Sequence, residues 1–158
     1  MRTVDAEAFR RVIDINLIGV ANTVKATVEH VVSAGGHIQL IGSCAAFALG
    51  MGGAAYMISK AGVEQYGRAL RIELAPFGAT GGISYFGIVE TDLTRATLDD
   101  DRIGQEIGAL LPWPLSKRIT AESAAKSIVV AVRGRRGISI VPCPWVLYSW
   151  RRQRRPRP

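Results

Sequence analysis

The sequence predicts an α/β fold in which the chain forms the C-terminal part of a doubly wound parallel sheet. Three short apolar runs alternate with longer segments whose apolar residues recur every three or four positions, the spacing of an amphipathic helix. Strands that alternate with helices in this way pair in parallel through right-handed crossovers. A chain of 158 residues is long enough to bury one core, so we expect one domain.

The first half of the chain contains two long predicted helices with one strand between them. Residues 5–33 carry apolar side chains at helical spacing, and two consecutive glycines then end the helix. The run 37–42 is apolar except for one glutamine, which is typical of a parallel strand buried on both faces. A second helix is expected over 54–75, because Pro76 follows it.

The second half adds two strands and a segment of mixed character. A strand is expected over 82–87 and another over 137–141, and Thr120 can cap a helix that runs to about residue 133. Residues 91–118 contain three consecutive aspartates and a Pro-Trp-Pro sequence. This segment cannot form one helix, and we expect it to be a mobile cover over the ligand site.

The composition is that of a globular protein, with 48% apolar and 21% charged residues. The net charge of +7 comes from the end of the chain, because nine basic residues and no acidic ones follow Glu122. Nucleic-acid-binding surfaces spread basic residues over a folded face and interleave them with aromatic ones. That pattern is absent outside the last residues, so we expect no nucleic-acid partner.

Neither the cysteines nor the histidines indicate a metal site. Cys44 and Cys143 are far apart in the sequence and lack the spacing of metal ligands, which predicts reduced thiols in the cytoplasm. His30 and His37 have no partner ligands at metal spacing, and we expect both at the surface. The prediction is therefore a cytoplasmic chain with no bound metal.

One stretch of the chain contains three residue types that suit proton transfer. Tyr56 and Lys60 are four positions apart in a predicted helix, so they share one face. There the ammonium stabilises the phenolate, which makes the tyrosine a general acid or base for a carbonyl or hydroxyl. Ser43 ends a predicted strand at the sheet edge where α/β folds bind ligands. Taken alone, Tyr-x-x-x-Lys more often marks an ordinary amphipathic helix surface.

Further motifs accompany these residues in a fixed order along the chain. They are Asn16 in D-I-N-L-I-G, Ser43 after its strand, Tyr56 and Lys60 in Y-M-I-S-K, and Gly87 in G-I-V-E-T-D. With these motifs, the chain from about residue 3 to the region of Pro142 resembles the C-terminal, catalytic part of a short-chain dehydrogenase/reductase. The resemblance implies a partial Rossmann-like domain over 1–142, followed by a basic, aromatic tail over 143–158.

The resemblance implies hydride transfer between a nicotinamide cofactor and a carbonyl or secondary alcohol. Tyr56 would exchange the proton with the substrate oxygen, while Lys60 would supply a positive charge beside it and contact the nicotinamide ribose. Ser43 would hydrogen-bond the substrate oxygen and position it. Asn16, in the middle of a predicted helix, would hold a water that connects Lys60 to solvent.

A second set of cofactor contacts is implied at residues 86–92. The resemblance places the nicotinamide carboxamide at the turn of Gly87, with the backbone of Ile88 and the hydroxyl of Thr91 as contacts. The family usually has proline before this glycine, whereas this chain has Phe86, and the loss of proline's fixed φ loosens the turn. The alternative is a plain strand-to-helix connection.

The chain departs from the family pattern at its beginning. Family members start with a strand, a Gly-rich turn and a helix that hold the cofactor pyrophosphate, and the sequence has no such segment. Two hypotheses follow: a truncated oxidoreductase that uses NAD or NADP, or an inactive remnant that acts as an interaction module. The helices 5–33 and 54–75 pair subunits in the family, so a homo-oligomer is expected. The choice between NAD and NADP stays open.

Apolar and basic residues suggest further contacts. We expect a small apolar carbonyl or alcohol substrate, because apolar side chains occupy the segments that would form its pocket; these are Phe47, Leu49, Met51, Leu93, Leu110 and Trp113. The tail 143–158 combines aromatic residues with five arginines, a composition that suits contact with an anionic membrane surface. The alternative is a solvated end without a partner.

Overall fold

The structure is a computed structural model that describes residues 5–47, 53–110 and 116–141. Its helices are α1 (Ala6–Ile13), α2 (Gly19–Ser33), α3 (Ala54–Leu74), α4 (Asp92–Thr94), α5 (Arg102–Leu110) and α6 (Ala121–Arg133). Its strands are β1 (His37–Ser43), β2 (Thr80–Phe86), β3 (Ile88–Glu90), β4 (Arg118–Thr120) and β5 (Ile138–Val141). None of the described helices combines the length and the apolar character needed to cross a membrane.

The three predicted strands form one parallel sheet in the order β1-β2-β5. His37 lies opposite Thr80 and Ser43 opposite Phe86, so β1 and β2 end at the same edge of the sheet. Strand β5 pairs with the second half of β2. The prediction of an α/β fold with parallel strands and connecting helices is confirmed.

A second, two-stranded parallel sheet joins β3 to β4, with Ile88 opposite Arg118. The sequence did not predict it, because strands of three residues are too short to show an alternating pattern. The segment 91–118, as predicted, is not one helix. It contains α4, a π-helical turn at Arg95–Asp99, α5 and the first residue of β4, and residues 111–115 lie outside the described part.

The predicted helix over 5–33 is interrupted by a π-helical turn at Asp14–Ile18, between α1 and α2. Asp5 caps the start of α1, because its side chain accepts a hydrogen bond from the backbone N–H of Ala8 at 3.0 Å. A π-helical turn inside an α-helix contains a wider backbone loop and is frequent at functional sites. Asn16 stands in the middle of this turn.

Helices cover both faces of the main sheet. A Cβ at Gly67 of α3 would lie 2.5 Å from Cδ1 of Ile83, so glycine is what allows this helix to lie so close to β2. Gly82 is on the opposite face, since neighbouring strand residues alternate, and a Cβ there would overlap the carbonyl oxygen of Arg136, just after α6. The core contains Val24, Leu40, Val63, Leu70, Leu74, Ile83 and Tyr85.

His37 is half-buried, so the expectation that both histidines lie at the surface is wrong for this one. Its Nδ1 lies 2.8 Å from Thr80 Oγ1 and its Nε2 lies 2.7 Å from the side-chain amide of Gln39. His30 is exposed, as expected. The difference arises because His37 begins a paired strand, where Thr80 lies opposite it and Gln39 lies two residues along on the same face.

Cys44 is buried and disulfide-bonded, so the expectation of a reduced thiol is wrong at this position. Separation along the sequence is a poor guide here, because a disulfide requires only that two Cα atoms approach in the fold. The other cysteine of the chain, Cys143, lies outside the described residues. So does the predicted tail 143–158, together with its proposed boundary from the domain 1–142.

Strand β1 has no partner on its outer side among the described residues. An unpaired edge leaves backbone donors and acceptors without partners and lowers stability. We therefore expect the isolated chain to unfold below about 60 °C, the upper part of the range for ordinary mesophile domains. Thermal unfolding followed by circular dichroism tests this, and a cooperative transition well above that temperature would contradict it.

Candidate active site

The direction of α3 brings the predicted catalytic helix to the edge where the strands end. Going along β2, Gly81 lies against Arg71, Ile83 against Gly67, and Tyr85 hydrogen-bonds Glu64. Helix and strand thus run in opposite directions, with about one helical turn for every two strand residues. The preceding turns of α3 carry its first residues to the carboxyl edge of the sheet, where ligands bind in such folds.

Tyr56 and Lys60 lie together on those first turns. The Lys60 Nζ atom is 5.7 Å from the centroid of the Tyr56 ring, within the range of a cation–π contact. The same Nζ donates a hydrogen bond to the carbonyl oxygen of Ile41 at 3.2 Å. Tyr56 is 40% exposed, so its ring is accessible to a ligand. The predicted pairing of phenol and ammonium is therefore present, and it is tied to β1.

Ser43 is the last residue of β1, and its side chain is buried at the same edge. It has an extended backbone, and its Oγ accepts a hydrogen bond from the N–H of Ala45 at 3.1 Å. Its hydroxyl therefore begins the short 3₁₀ helix Cys44–Ala46 and keeps its own proton available for an acceptor. Ile41, which holds Lys60, precedes Ser43 by two positions, and this places both side chains near the end of one strand.

Asn16 contacts α3 through Ser59, a residue that the sequence did not single out. Its Nδ2 donates to Ser59 Oγ at 3.3 Å, and Ser59 Oγ donates to the carbonyl oxygen of Tyr56 at 2.7 Å. Ser59 is fully buried. The π-helical turn and this hydrogen-bond chain therefore hold Asn16 against the turn that carries Tyr56, although Asn16 does not bond Lys60 itself. The sequence feature that could have indicated Ser59 is its position directly before Lys60 in Y-M-I-S-K.

The residues expected to contact the carboxamide follow β2, the strand that pairs with β1. Gly87 follows β2 directly, and its N–H donates to the carbonyl oxygen of Val141 at 3.3 Å. Ile88 begins β3. The hydroxyl of Thr91 accepts a hydrogen bond from the N–H of Thr94 at 3.2 Å and so caps α4. The sheet brings Gly87 to the same edge as Ser43, while Thr91 already has an internal partner.

Desolvation by burial lowers the pKa of Lys60 from its ordinary value of 10.5. The charged form therefore costs free energy in the folded chain.

This cost gives a pH-dependent prediction for Lys60→Met. Between the lowered folded-state pKa and 10.5, the unfolded chain binds more protons than the folded one, so the stability contributed by Lys60 rises with pH. We expect the variant to melt at a higher temperature than the natural chain at pH 7, with a difference that shrinks toward pH 10.5. Melting curves at several pH values measure it. A variant that is less stable at pH 7 would contradict the prediction.

A cavity of 320 Å³ opens beside β3 and is lined by Ile88, Leu98, Asp99 and Arg118 among others. Arg118 Nη1 donates to Asp99 Oδ2 at 2.8 Å, and its Nη2 contacts the second carboxylate oxygen. The hydrogen bond from Arg118 lowers the pKa of Asp99. The described residues contain no group of three or more side chains that could hold a metal ion.

Comparison with known proteins identifies the family. The profile of the family described as short chain dehydrogenase matches residues 1–102, which is more than half of the chain. The chain belongs to the short-chain dehydrogenase family. Within this family member, the matched part contains Asn16, Ser43, Tyr56 and Lys60, and also the turn of Gly87.

Individual relatives agree with the family assignment. The chain is 30% identical over 153 residues to the "Probable oxidoreductase EphD" of Mycobacterium tuberculosis, covering 91% of this chain and 26% of that protein. It is 37% identical over 142 residues to the "NADPH-dependent 1-acyldihydroxyacetone phosphate reductase" of Schizosaccharomyces pombe, covering 83% and 48%. This short-chain dehydrogenase therefore spans half or less of the length of these two relatives.

A solved structure shows the same fold. A short-chain dehydrogenase/reductase of unknown function from Caenorhabditis elegans, crystallised with cofactor, superposes with a TM-score of 0.72 at 26% identity. The superposition covers 87% of the short-chain dehydrogenase described here and 55% of that chain. The predicted family and the predicted Rossmann-like fold are both confirmed.

Proposed function

We propose that this chain carries the catalytic residues of an oxidoreductase that transfers a hydride between NAD or NADP and a carbonyl or secondary alcohol. The main support is the position of Tyr56 and Lys60, side by side on the first turns of α3 at the edge where β1 ends in Ser43. An exposed phenol next to a half-buried ammonium is suited to proton exchange with a ligand oxygen.

The donor groups fit the nicotinamide half of such a cofactor. The Lys60 ammonium lies at the sheet edge, and the turn at Gly87 ends the neighbouring strand. When bound there, the cofactor would supply the hydride in reduction and accept it in oxidation. Tyr56 would give its phenolic proton to the substrate oxygen in reduction and take it back in oxidation. Ser43 would donate its hydroxyl proton to the same oxygen and hold it in place.

The remaining residues act on these groups. Asn16 would hold the Tyr56 turn in place through Ser59 and connect the Lys60 ammonium to solvent through water, as the resemblance implies. Ile88 and Thr91 would contact the cofactor carboxamide. Thr91 must then use its remaining hydrogen-bonding capacity, because its oxygen already accepts from Thr94.

The substrate class stays a proposal. Of the apolar residues expected around it, Phe47, Leu93 and Leu110 are exposed, whereas Leu49, Met51 and Trp113 lie outside the described residues. Of the three, Phe47 follows Ser43 by four positions, and an apolar side chain there favours a small apolar carbonyl or alcohol. The cytoplasmic location and a membrane contact by the tail 143–158 stay predictions from composition.

Binding of the cofactor tests the proposal most directly. The full chain is titrated with NADPH and with NADH, and the fluorescence of the reduced nicotinamide is followed. NADPH comes first, because the Schizosaccharomyces pombe relative is named as NADPH-dependent. We expect saturable binding with a dissociation constant below about 1 mM for at least one cofactor, weakened in Lys60→Met. No binding of either cofactor at millimolar concentration would overturn the proposal.

A second candidate, a self-associating module, is favoured by exposed isoleucines on the two helical segments expected at a subunit interface. Residues 5–33 contain Ile15 and Ile18, and α3 contains Ile58 and Ile72. The two segments adjoin, since Leu17 packs against Gly62 of α3, and exposed apolar side chains on adjoining helices suit a contact with another protein. Light scattering after gel filtration would show a homo-oligomer that Ile72→Glu weakens, while Val132→Glu on α6 leaves it intact. A monomer at all concentrations would exclude this candidate.

A further inference from the structure

Glu64 is a buried carboxylate in the middle of α3, with only 3% of its surface exposed. It accepts a hydrogen bond from the phenol of Tyr85, and its other oxygen accepts from Arg68 Nε at 2.5 Å. An ionised group inside a protein is costly unless it is paired and hydrogen-bonded. Both oxygens of this carboxylate accept hydrogen bonds, so the orientation of the Glu64 side chain is fixed on both sides.

Tyr85 links Glu64 to the end of the main sheet. It is 2% exposed and lies on β2 opposite Gly42 of β1. A Cβ at Gly42 would lie 3.1 Å from Cδ1 of the Tyr85 ring, so the ring uses the space that this glycine leaves. The centroid of the same ring is 5.4 Å from that of Phe47, which follows the 3₁₀ helix after Ser43.

The Glu64–Tyr85 hydrogen bond lies close along the chain to the candidate catalytic residues Lys60 and Ser43. Glu64 is one helical turn after Lys60, and Tyr85 directly precedes Phe86, the strand partner of Ser43. Helix α3 therefore has two polar contacts with neighbouring strands, from Lys60 to the Ile41 carbonyl on β1 and from Glu64 to Tyr85 on β2. Two directional contacts one turn apart fix both the height and the rotation of a helix on a sheet.

We propose that Glu64 is a positioning residue, which acts through Tyr85 to fix α3 against the strand ends and so sets the distance between the Tyr56 phenol and the Ser43 hydroxyl. This inference rests on the proposed function for its effect on turnover. Filling the space would need only an apolar side chain of similar size, whereas the carboxylate gives the buried Tyr85 hydroxyl an acceptor and so fixes the direction of the contact. A displacement of about 1 Å at a reacting group, however, can cost roughly 100-fold in rate.

Three variants of the full chain test the proposal: Glu64→Leu, Glu64→Gln and Tyr85→Phe. Glu64→Leu and Tyr85→Phe are expected to lower kcat by about 10- to 100-fold, with a smaller rise in the KM for cofactor, because Lys60 shifts but keeps its charge. Glu64→Gln keeps an oxygen for the Tyr85 phenol and is expected to recover most of kcat. Glu73→Gln, exposed on the same helix, is the surface control, and Val63→Ala is the control for a buried residue.

A readout on the free chain separates this proposal from the proposed function. The Nζ–H signal of Lys60 in a nitrogen–proton NMR spectrum reports its hydrogen bond to Ile41. We expect this signal in the natural chain, Glu64→Gln and Val63→Ala, and its loss in Tyr85→Phe and Glu64→Leu. If the natural chain shows no turnover, the proposed function fails and this signal alone decides. If Glu64→Leu does not fold, the comparison is made with Tyr85→Phe, which removes only one oxygen atom. An unchanged signal in Tyr85→Phe would overturn the positioning role.

Discussion

Replacing Tyr56 with phenylalanine is expected to reduce turnover by about 100- to 10,000-fold, the range for loss of a general acid–base group. The substitution removes one oxygen atom from a ring that is 40% exposed. Lys60 Nζ keeps its hydrogen bond to the Ile41 carbonyl, and its contact with the ring face is unaffected by the loss of the hydroxyl. Fold and cofactor affinity should therefore change little, so that the effect falls on kcat and not on cofactor binding.

Steady-state kinetics with NADPH or NADH and a small ketone measure this effect, with circular dichroism to confirm folding. Tyr66→Phe is the matched control, because Tyr66 lies on the same helix and packs against the core but has no lysine four residues later. It should keep nearly full activity. If Tyr56→Phe retains more than about a tenth of the natural rate, the proton must come from another group.

Replacing Gly82 with alanine is expected to destabilise the chain by about 1–3 kcal/mol, the usual cost of overfilling a packed site. The new Cβ would overlap the backbone carbonyl oxygen of Arg136 and the side-chain amide of Gln39. A backbone atom cannot move aside as the end of a flexible side chain can. The loop after α6 would have to shift, and with it the pairing of β5 beside β2.

The substitution Gly108→Ala is expected to have the opposite effect and to raise the stability of the chain. Gly108 lies within α5, and no described atom outside its own stretch of helix lies within 4 Å of a Cβ placed there. Alanine should therefore stabilise the chain by about 0.5–1 kcal/mol through its better helix propensity. Urea unfolding of both variants gives the comparison. A Gly82→Ala variant as stable as Gly108→Ala would show that the packing between the α6 loop and the sheet is looser than described.

The large elements were predictable from the sequence because their patterns are long. The helices over 5–33 and 54–75 show many turns of apolar periodicity, and the three strands of the main sheet are continuous apolar runs between glycines or loops. The pairing of Tyr56 with Lys60 followed from helical spacing alone. Ser43 was placed at a strand end by the same reasoning, and the structure has it there.

What the sequence could not predict depends on contacts between distant residues. The Glu64–Tyr85 hydrogen bond joins residues 21 positions apart, and Ser59 meets Asn16 across 43 positions. Neither pair has a spacing that a helix or hairpin would suggest. The disulfide of Cys44 is missed for the same reason, because its formation depends on distance in space.

The π-helical turn around Asn16 also constrains how the chain can vary in length. Such a turn holds one more residue than the regular helix that would replace it. Deleting a single residue from Asp14–Ile18 would remove this extra residue, so that α1 and α2 could join as one regular helix with their faces nearly unchanged. The side chains inside the turn would change direction. The amide of Asn16 would then point away from Ser59. We therefore expect a one-residue deletion in this segment to preserve the helix and to remove the hydrogen bond between Asn16 and Ser59.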